Sequence, residues 1–223
     1  MITVHHLNNS RSQRVLWLLE ELGCAYTVVR YERDKTTMLA PPALRQIHPL
    51  GKSPALTDGD RTVAESGAII DYLIETYGNG RLIPLPGTPE RLRYTYWLHY
   101  AEGSAMPPLL LKLIFLRLAK GPMPFFVRPI VRVIAKGMQD RFIDPQLKLH
   151  TGYWESELSK QTWFAGAEFT AADIQMSFPV EAAAARLGIA TTHPGLKSFL
   201  DRIHARPAYQ RALKAGGPYE LLG

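Results

Sequence analysis

The sequence predicts two domains, a small α/β domain at residues 1–80 and an all-helical domain at residues 91–223. Three observations support this division. Strand and helix patterns alternate up to residue 80, whereas helical spacing of apolar residues dominates after residue 90. Between the two, residues 81–90 lie in a stretch rich in proline and glycine, which is typical of a linker.

The first domain begins with a strand, a helix and a second strand. Residues 2–7 alternate weakly and include β-branched side chains, which indicates a strand. The stretch RVLWLLEEL, residues 14–22, has leucines at helical spacing, and Gly23 follows it as a C-cap. Residues 25–32 form the next strand. Two strands joined by a helix over so short a distance predict a parallel pair.

A hairpin and a helix complete this domain. Residues 36–49 predict a broken helical connection because they contain Pro41, Pro42 and Pro49. The stretch SPALTDGDRTVAES, residues 53–66, then predicts two strands with a tight turn at residues 58–60. Residues 67–78 predict a helix that ends at a glycine.

The second domain begins with a long helix over residues 91–103 and ends with helical patterns near residues 195–213. One helix start within it has a capping signature. In the stretch FTAAD, Thr170 is an N-cap with Asp173 at N3, and Phe169 and Ile174 are placed for a hydrophobic staple. We interpret FTAAD as structural.

Composition excludes several classes of protein. Hydrophobic residues make up 46% of the chain, but no apolar run reaches transmembrane length, and the first ten residues show no signal-peptide pattern, so we expect a cytoplasmic protein. Cys24 is the only cysteine, which excludes an intrachain disulfide, a CxxC redox motif and a thiolate metal site. His5 and His6 are adjacent on a strand and point to opposite faces, so we expect no metal.

Positive charge is concentrated in one segment. The formal net charge is +6, and the stretch from Gly103 to Gln139, here called the cationic segment, contains six Lys and Arg with no Asp or Glu. It is also rich in Leu, Ile, Phe and Pro, and its prolines argue against one continuous helix. We expect no nucleic-acid partner. The basic residues of the segment are Lys112, Arg117, Lys120, Arg128, Arg132 and Lys136.

The stretch HPLGKSPAL, residues 48–56, has two interpretations. A phosphate-binding loop needs a glycine at position 46 and a helix that begins at the lysine and serine. Position 46 is Gln, and Pro54 favours an extended Ser53. The stretch therefore favours a turn that presents extended backbone.

Three motifs in this order resemble the cytosolic glutathione transferase family, in particular its serine-using, bacterial-like members. They are NNSRSQRVLWLLEEL, HPLGKSPAL with AESGAIIDYL following, and FTAADIQMSF, and the resemblance covers nearly the full chain. It implies a thioredoxin-like first domain, an all-α second domain and a homodimer. It also implies an enzyme that conjugates the glutathione thiolate to electrophilic hydrophobic substrates in detoxification.

The same resemblance assigns glutathione-binding roles. Pro54 is expected to be cis, with the backbone of Ser53 pairing with the cysteinyl part of glutathione. Lys52 is expected near the glycyl carboxylate. Glu65 would bind the γ-glutamyl ammonium, and Ser66 the γ-glutamyl carboxylate. Ser66 could instead be only an N-cap, and Lys52 only a surface lysine.

Ser10 is the expected catalytic residue, because serine-using members place their hydroxyl between the first strand and the first helix. No tyrosine precedes Tyr26, so the tyrosine-using classes match poorly. Ser12 and Gln13 stand where proline and cysteine are common, which leaves Ser12 as a rival. Cys24 lies at the far end of the helix, so glutaredoxin-like chemistry is not expected.

The acceptor site has four candidates. Tyr94 and Trp97 lie on the first long helix, which in the family faces the sulfur, and Arg128 and Arg132 lie in the cationic segment. That segment could bind an anionic hydrophobic substrate, form a solvated basic face, or contact a membrane surface through residues 103–139. Two other functions remain open, namely glutathione-dependent peroxide reduction and a non-catalytic adaptor that binds proteins.

Overall fold

The computed structural model describes residues 1–221, and it confirms a thioredoxin-like α/β domain followed by a helical domain. The elements of the first domain are β1 (Ile2–Leu7), α1 (Ser12–Leu22), β2 (Tyr26–Tyr31), β3 (Ala55–Asp58), β4 (Arg61–Ala64) and α2 (Ser66–Tyr77). The four strands form one sheet with the order β2-β1-β3-β4. β1 pairs in parallel with β2 and antiparallel with β3, and β3 and β4 form the expected hairpin.

The helical domain has a break where the prolines predict one. Its helices are α3 (Pro89–Tyr100), α4 (Met106–Lys120), α5 (Arg128–Met138), α6 (Asp144–Lys160), α7 (Ala171–Leu187), α8 (Pro194–His204) and α9 (Pro207–Gly216). A π-helical turn at Ala101–Ala105 joins α3 to α4, and another at Gln139–Ile143 joins α5 to α6. The chain leaves helix between α4 and α5, around Pro122 and Pro124.

Helix α1 connects the two domains. The indole of Trp17 meets the ring of Tyr209 on α9 edge to face, with 5.1 Å between ring centroids. Arg206 and Arg211 form ion pairs with Glu21 and Glu20 on α1 at 2.5 and 2.6 Å. Apolar side chains of both domains form one continuous core around this helix, so the start of α1 is held against the helical domain.

The start of α7 has the predicted capping box. Asp173 is fully buried, and its carboxylate accepts hydrogen bonds from the backbone N–H and the hydroxyl of Thr170 at 2.9 and 3.1 Å. A third bond, 2.8 Å from the backbone N–H of Phe164, ties the preceding loop to the helix. Across residues 1–221, every helix is too short or too polar to span a bilayer.

Candidate functional site

Two adjacent cavities lie where the sheet meets the helical domain. The first, here called the turn cavity, has a volume of about 210 Å³ and is lined by Pro54, Glu65 and Ser66 among other residues. The second, here called the helical cavity, has a volume of about 370 Å³ and extends along α4 and α7. Lys52 and Ser53 line both cavities, so together the two form one cleft.

The turn before β3 forms the wall between the two cavities. Its Ser53–Pro54 peptide bond is cis, as the resemblance implies. The Ser53 hydroxyl donates to the carbonyl of His5 at 2.9 Å and accepts from the backbone N–H of Leu7 at 3.2 Å. Because these bonds direct the Ser53 side chain towards β1, the turn is anchored to the centre of the sheet, at the base of the cleft.

Ser66 is the first residue of α2, and its hydroxyl is held from behind. The Ser66 Oγ atom accepts hydrogen bonds from Arg14 Nη1 at 3.3 Å and from Gln175 Nε2 at 3.2 Å. Two donors occupy the lone pairs of a hydroxyl, so its proton is left to donate into the turn cavity. The unpaired N–H groups at the start of α2 also favour an anion here.

Glu65 precedes this helix in a constrained conformation. Its φ of 71° lies in the left-handed region, which is uncommon for a residue with a side chain. The Glu65 side chain is exposed and lines the turn cavity next to Ser66. A carboxylate and a hydroxyl donor therefore stand side by side in the turn cavity.

Glu102, which the sequence motifs did not mark, also lines the turn cavity. Its carboxylate pairs with Arg14 at 2.5 Å and with Arg11 at 2.9 Å. Burial raises the pKa of the Glu102 carboxyl, but the two arginines more than offset burial, and the net shift is downward. Burial lowers the pKa of Arg14, a shift that Glu102 opposes. This pair supports Ser66, because Arg14 is one of the two residues that donate to its hydroxyl.

Ser10 and Ser12 face inward. The Ser10 hydroxyl bonds with the Ser12 hydroxyl at 2.7 Å and accepts from the backbone N–H of Ser12 at 3.2 Å. The Ser12 hydroxyl reaches His6 Nδ1 at 2.9 Å, and burial, aided by Arg30, lowers the pKa of His6 to about 4. Both serines are buried, and neither is among the described residues that line the two cavities.

Asn9 occupies the cleft wall at the position where Ser10 was expected. It lines the helical cavity, and its φ of 49° is a left-handed conformation that Asn adopts more readily than most residues. Its Oδ1 accepts from the backbone N–H of Glu220 at 2.8 Å. This bond fixes the carboxamide, and within residues 1–221 its Nδ2 group has no protein partner. Asn9 is therefore a hydrogen-bond donor available to a ligand.

The four acceptor-site candidates lie outside both cavities. Tyr94 and Trp97 are buried in the core, where Trp97 packs on Phe164 with 4.6 Å between ring centroids. Arg128 and Arg132 are exposed on α5. Their helix is separated from α4 by the proline break, and neither arginine is among the described residues of the helical cavity. The walls of that cavity come instead from residues such as Met106, Leu110, Leu113, Arg117, Phe178 and Arg186.

Cys24 lies beyond the C-terminal end of α1, the opposite end of the helix from Asn9. Its thiol is partly buried, and burial raises its pKa. A raised thiol pKa reduces the thiolate fraction at neutral pH. The cleft walls described here contain no thiol of their own, so any sulfur nucleophile there has to come from a ligand.

Relatives of known sequence span nearly the whole chain. The family model described as "Glutathione S-transferase, N-terminal domain" matches residues 1–75, and the one described as "Glutathione S-transferase, C-terminal domain" matches residues 144–207. The chain is 36% identical over 208 residues to Glutathione S-transferase 3 of Schizosaccharomyces pombe. That match covers 93% of this chain and 85% of the yeast protein.

Solved structures show the same fold. A glutathione S-transferase from Actinobacillus pleuropneumoniae has a TM-score of 0.80 and 33% identity, with 99% of this chain and 95% of that chain covered. A glutathione transferase of Phanerochaete chrysosporium, solved in complex with oxidized glutathione, has a TM-score of 0.73 and 25% identity, with 96% of each chain covered. Both likenesses extend over the two domains that form the cleft.

Proposed function

Because the chain belongs to the glutathione S-transferase family, we propose that it binds glutathione in the turn cavity and conjugates it, through its sulfur, to electrophilic hydrophobic acceptors. The observation that carries this proposal is Ser66. Its hydroxyl is buried at a helix N-terminus and held by two donors, so it has a proton to give to a carboxylate. The γ-glutamyl end of glutathione has such a carboxylate.

The remaining contacts to glutathione follow from that anchor. Glu65 binds the γ-glutamyl ammonium, which lies beside the carboxylate in the ligand. The backbone of Ser53, next to the cis Pro54, pairs with the cysteinyl residue in the manner of an added strand. Lys52 is exposed at the wall shared by the cavities and binds the glycyl carboxylate as a point charge.

In this binding mode the sulfur lies near the start of α1, between the two cavities. A free thiol has a pKa near 8.5, so a hydrogen-bond donor and a helix N-terminus are needed to favour the thiolate at neutral pH. We assign the direct donor role to Asn9, whose Nδ2 group is available in the cleft. Ser10 supports that role from inside, since its hydroxyl fixes the turn that carries Asn9.

The chemical step is a nucleophilic attack by this thiolate. A carbon–sulfur bond forms at the electrophilic carbon, and the leaving group departs with its bonding electrons or, in an addition, the acceptor takes up a proton. Met106, Leu110, Leu113 and Phe178 give the helical cavity an apolar wall next to the sulfur. An apolar acceptor is therefore held beside the nucleophile, which lowers the entropic cost of the reaction.

Glutathione-dependent peroxide reduction is the second candidate. It uses the same thiolate and ends in oxidized glutathione, the compound bound in the Phanerochaete chrysosporium relative. Two glutathione molecules supply the two electrons, and the peroxide leaves as an alcohol and water. A non-catalytic adaptor is less well supported, because protein binding does not require a buried arginine network behind Ser66.

Two assays separate these functions. We expect glutathione binding by calorimetry and conjugation of 1-chloro-2,4-dinitrobenzene, with a slower reduction of cumene hydroperoxide. Ser66→Ala should weaken glutathione binding, whereas Ser159→Ala, at an exposed serine on α6, should not. Binding without either reaction would favour the adaptor. We also propose that the protein is a cytoplasmic homodimer and acts in detoxification. Light scattering of the purified protein tests whether it is a dimer.

A further inference from the structure

The helical cavity carries more positive charge than glutathione needs. Five cationic residues line it, and among its described residues Glu220 supplies the only carboxylate. Arg11 is already paired with Glu102. Lys52 is committed to the glycyl carboxylate under the proposed function. Arg33 and Arg117 also line the cavity, and Arg186 is the third arginine beside them.

These three arginines come from different elements and meet at the cavity. Arg33 follows β2, and its Nη1 donates to the carbonyl of Met38 at 3.2 Å. Arg186 lies near the end of α7, and its Nη1 donates to the carbonyl of Leu109 at 3.2 Å. Arg117 projects from α4, on the same face as Leu110 and Leu113. Within residues 1–221, Arg33 and Arg117 have no carboxylate within salt-bridge distance.

The positive charges that share this cavity are close enough to shift one another's pKa values. Burial lowers the pKa of Arg33, and the neighbouring Arg117 and Arg11 lower it further. Burial and the same two neighbours lower the pKa of Arg186 to about 10. Cations gathered in a partly buried space repel one another, and a bound anion relieves that repulsion.

Apolar side chains complete the space around these cations, namely those of Met38, Leu39, Met106, Leu110, Leu113 and Phe178. We propose that Arg33 and Arg117, next to Arg186, form an anion-binding site for the acceptor, so that the enzyme prefers apolar electrophiles that carry a carboxylate. This inference rests on the proposed function, because it names the substrate class of the same cleft.

A matched pair of acceptors tests the proposal. The acid 4-chloro-3,5-dinitrobenzoate and its methyl ester have the same reacting carbon and leaving group. With either one, the glutathione sulfur forms a bond to the ring carbon and chloride leaves with the bonding electron pair. Each kcat/KM is divided by the uncatalysed rate with glutathione, which removes intrinsic reactivity. We expect the enzyme to favour the acid by about tenfold, the low end for a hydrogen bond to a charged group.

Single substitutions locate the site. Arg33→Gln and Arg117→Gln should each reduce the acid-to-ester ratio by about threefold to tenfold. Lys120→Gln, which removes an exposed charge at the end of α4, should leave the ratio unchanged. Glu220→Gln should raise it, because Glu220 supplies the only carboxylate among the described residues of the cavity, and its negative charge repels a bound anion. This gain cannot result from misfolding.

Binding measurements keep this test independent of turnover. Calorimetry with glutathione present compares 3,5-dinitrobenzoate with 3,5-dinitrobenzamide, neither of which has a leaving group. A preference for the benzoate that Arg117→Gln removes would support the anion site even if no conjugation occurs, in which case only the conjugation proposal fails. Equal binding of the two compounds would overturn the site. So would a loss of glutathione affinity in Arg33→Gln and Arg117→Gln with the benzoate preference intact, because these arginines would then serve glutathione.

Discussion

Replacing Asp173 with alanine should destabilise the chain more than the loss of an ordinary helix cap, which costs about 1 kcal/mol. The Asp173 carboxylate is fully buried and accepts three hydrogen bonds. Alanine would leave the backbone N–H groups of Phe164 and Thr170 buried without partners. Each such group costs about 1 to 3 kcal/mol, so the expected loss is about 4 kcal/mol where the carboxyl is protonated.

The loss of stability caused by Asp173→Ala should become smaller as pH rises. Burial, opposed by its hydrogen bonds, raises the pKa of Asp173 to about 6, whereas an unfolded aspartate titrates near 3.9. Between these values the folded state binds more protons than the unfolded state, so the stability that Asp173 contributes is full below pH 4 and declines as pH rises through 6. The decline is about 2 kcal/mol between pH 4.5 and 7.5.

Urea unfolding of the native chain and of Asp173→Ala at several pH values measures this difference. Asp201→Ala serves as a control, because Asp201 is an exposed carboxylate on α8 whose only ion-pair partner within residues 1–221 is Lys197. We expect the penalty for Asp173→Ala to be about 4 kcal/mol near pH 4.5 and about 2 kcal/mol near pH 7.5. A penalty that grows with pH would refute the reasoning, since it would mean that the hydrogen bonds outweigh burial and keep the carboxyl ionised.

The other predictions concern the cleft. Asn9→Ala should raise the pKa of the bound glutathione thiol and lower turnover about tenfold, with little loss of glutathione affinity. Ultraviolet titration of the bound thiolate measures the pKa. A larger pKa shift in Ser10→Ala would assign the donor role to Ser10. Glu65→Ala should weaken glutathione binding at least tenfold in calorimetry, because the ammonium loses its charged partner, and unchanged affinity would exclude the proposed orientation. Gln175→Ala should raise KM for glutathione with little change in kcat, because it removes one of the two donors to Ser66, and a fall in kcat alone would contradict this role.

The fold was predictable because short-range sequence patterns favour the same helices, turns and caps that the folded chain contains. The apolar spacing of α1, the Asp58–Gly59 turn and the capping box of α7 each involve neighbours within a few residues. The sequence alone did not show how strongly Asp173 stabilises the fold. The bond from Phe164 to Asp173 joins a loop to a helix, and only the folded chain shows that it exists.

Part of the site was predictable for the same reason. Ser53, Pro54, Glu65 and Ser66 lie in short stretches whose conformation is set locally, and they line the turn cavity together. The sequence did not mark Asn9, because attention fell on the hydroxyl of Ser10, and only the folded chain shows that Asn9 lines the helical cavity while Ser10 is buried.

The residues that line the helical cavity were the hardest to predict, since a helix face cannot be extrapolated through an irregular turn. Each residue of an α-helix rotates the face by about 100°, and a π-helical turn adds a residue to one turn. The turn at Ala101–Ala105 therefore breaks the register between Trp97 on α3 and Arg117 on α4. The proline break then places Arg128 and Arg132 on a separate helix. A count of charges along residues 103–139 consequently identifies the cationic segment. It does not identify Arg117 as the basic residue of that segment that lines the helical cavity, because the direction in which α4 presents its side chains depends on the π-helical turn before it.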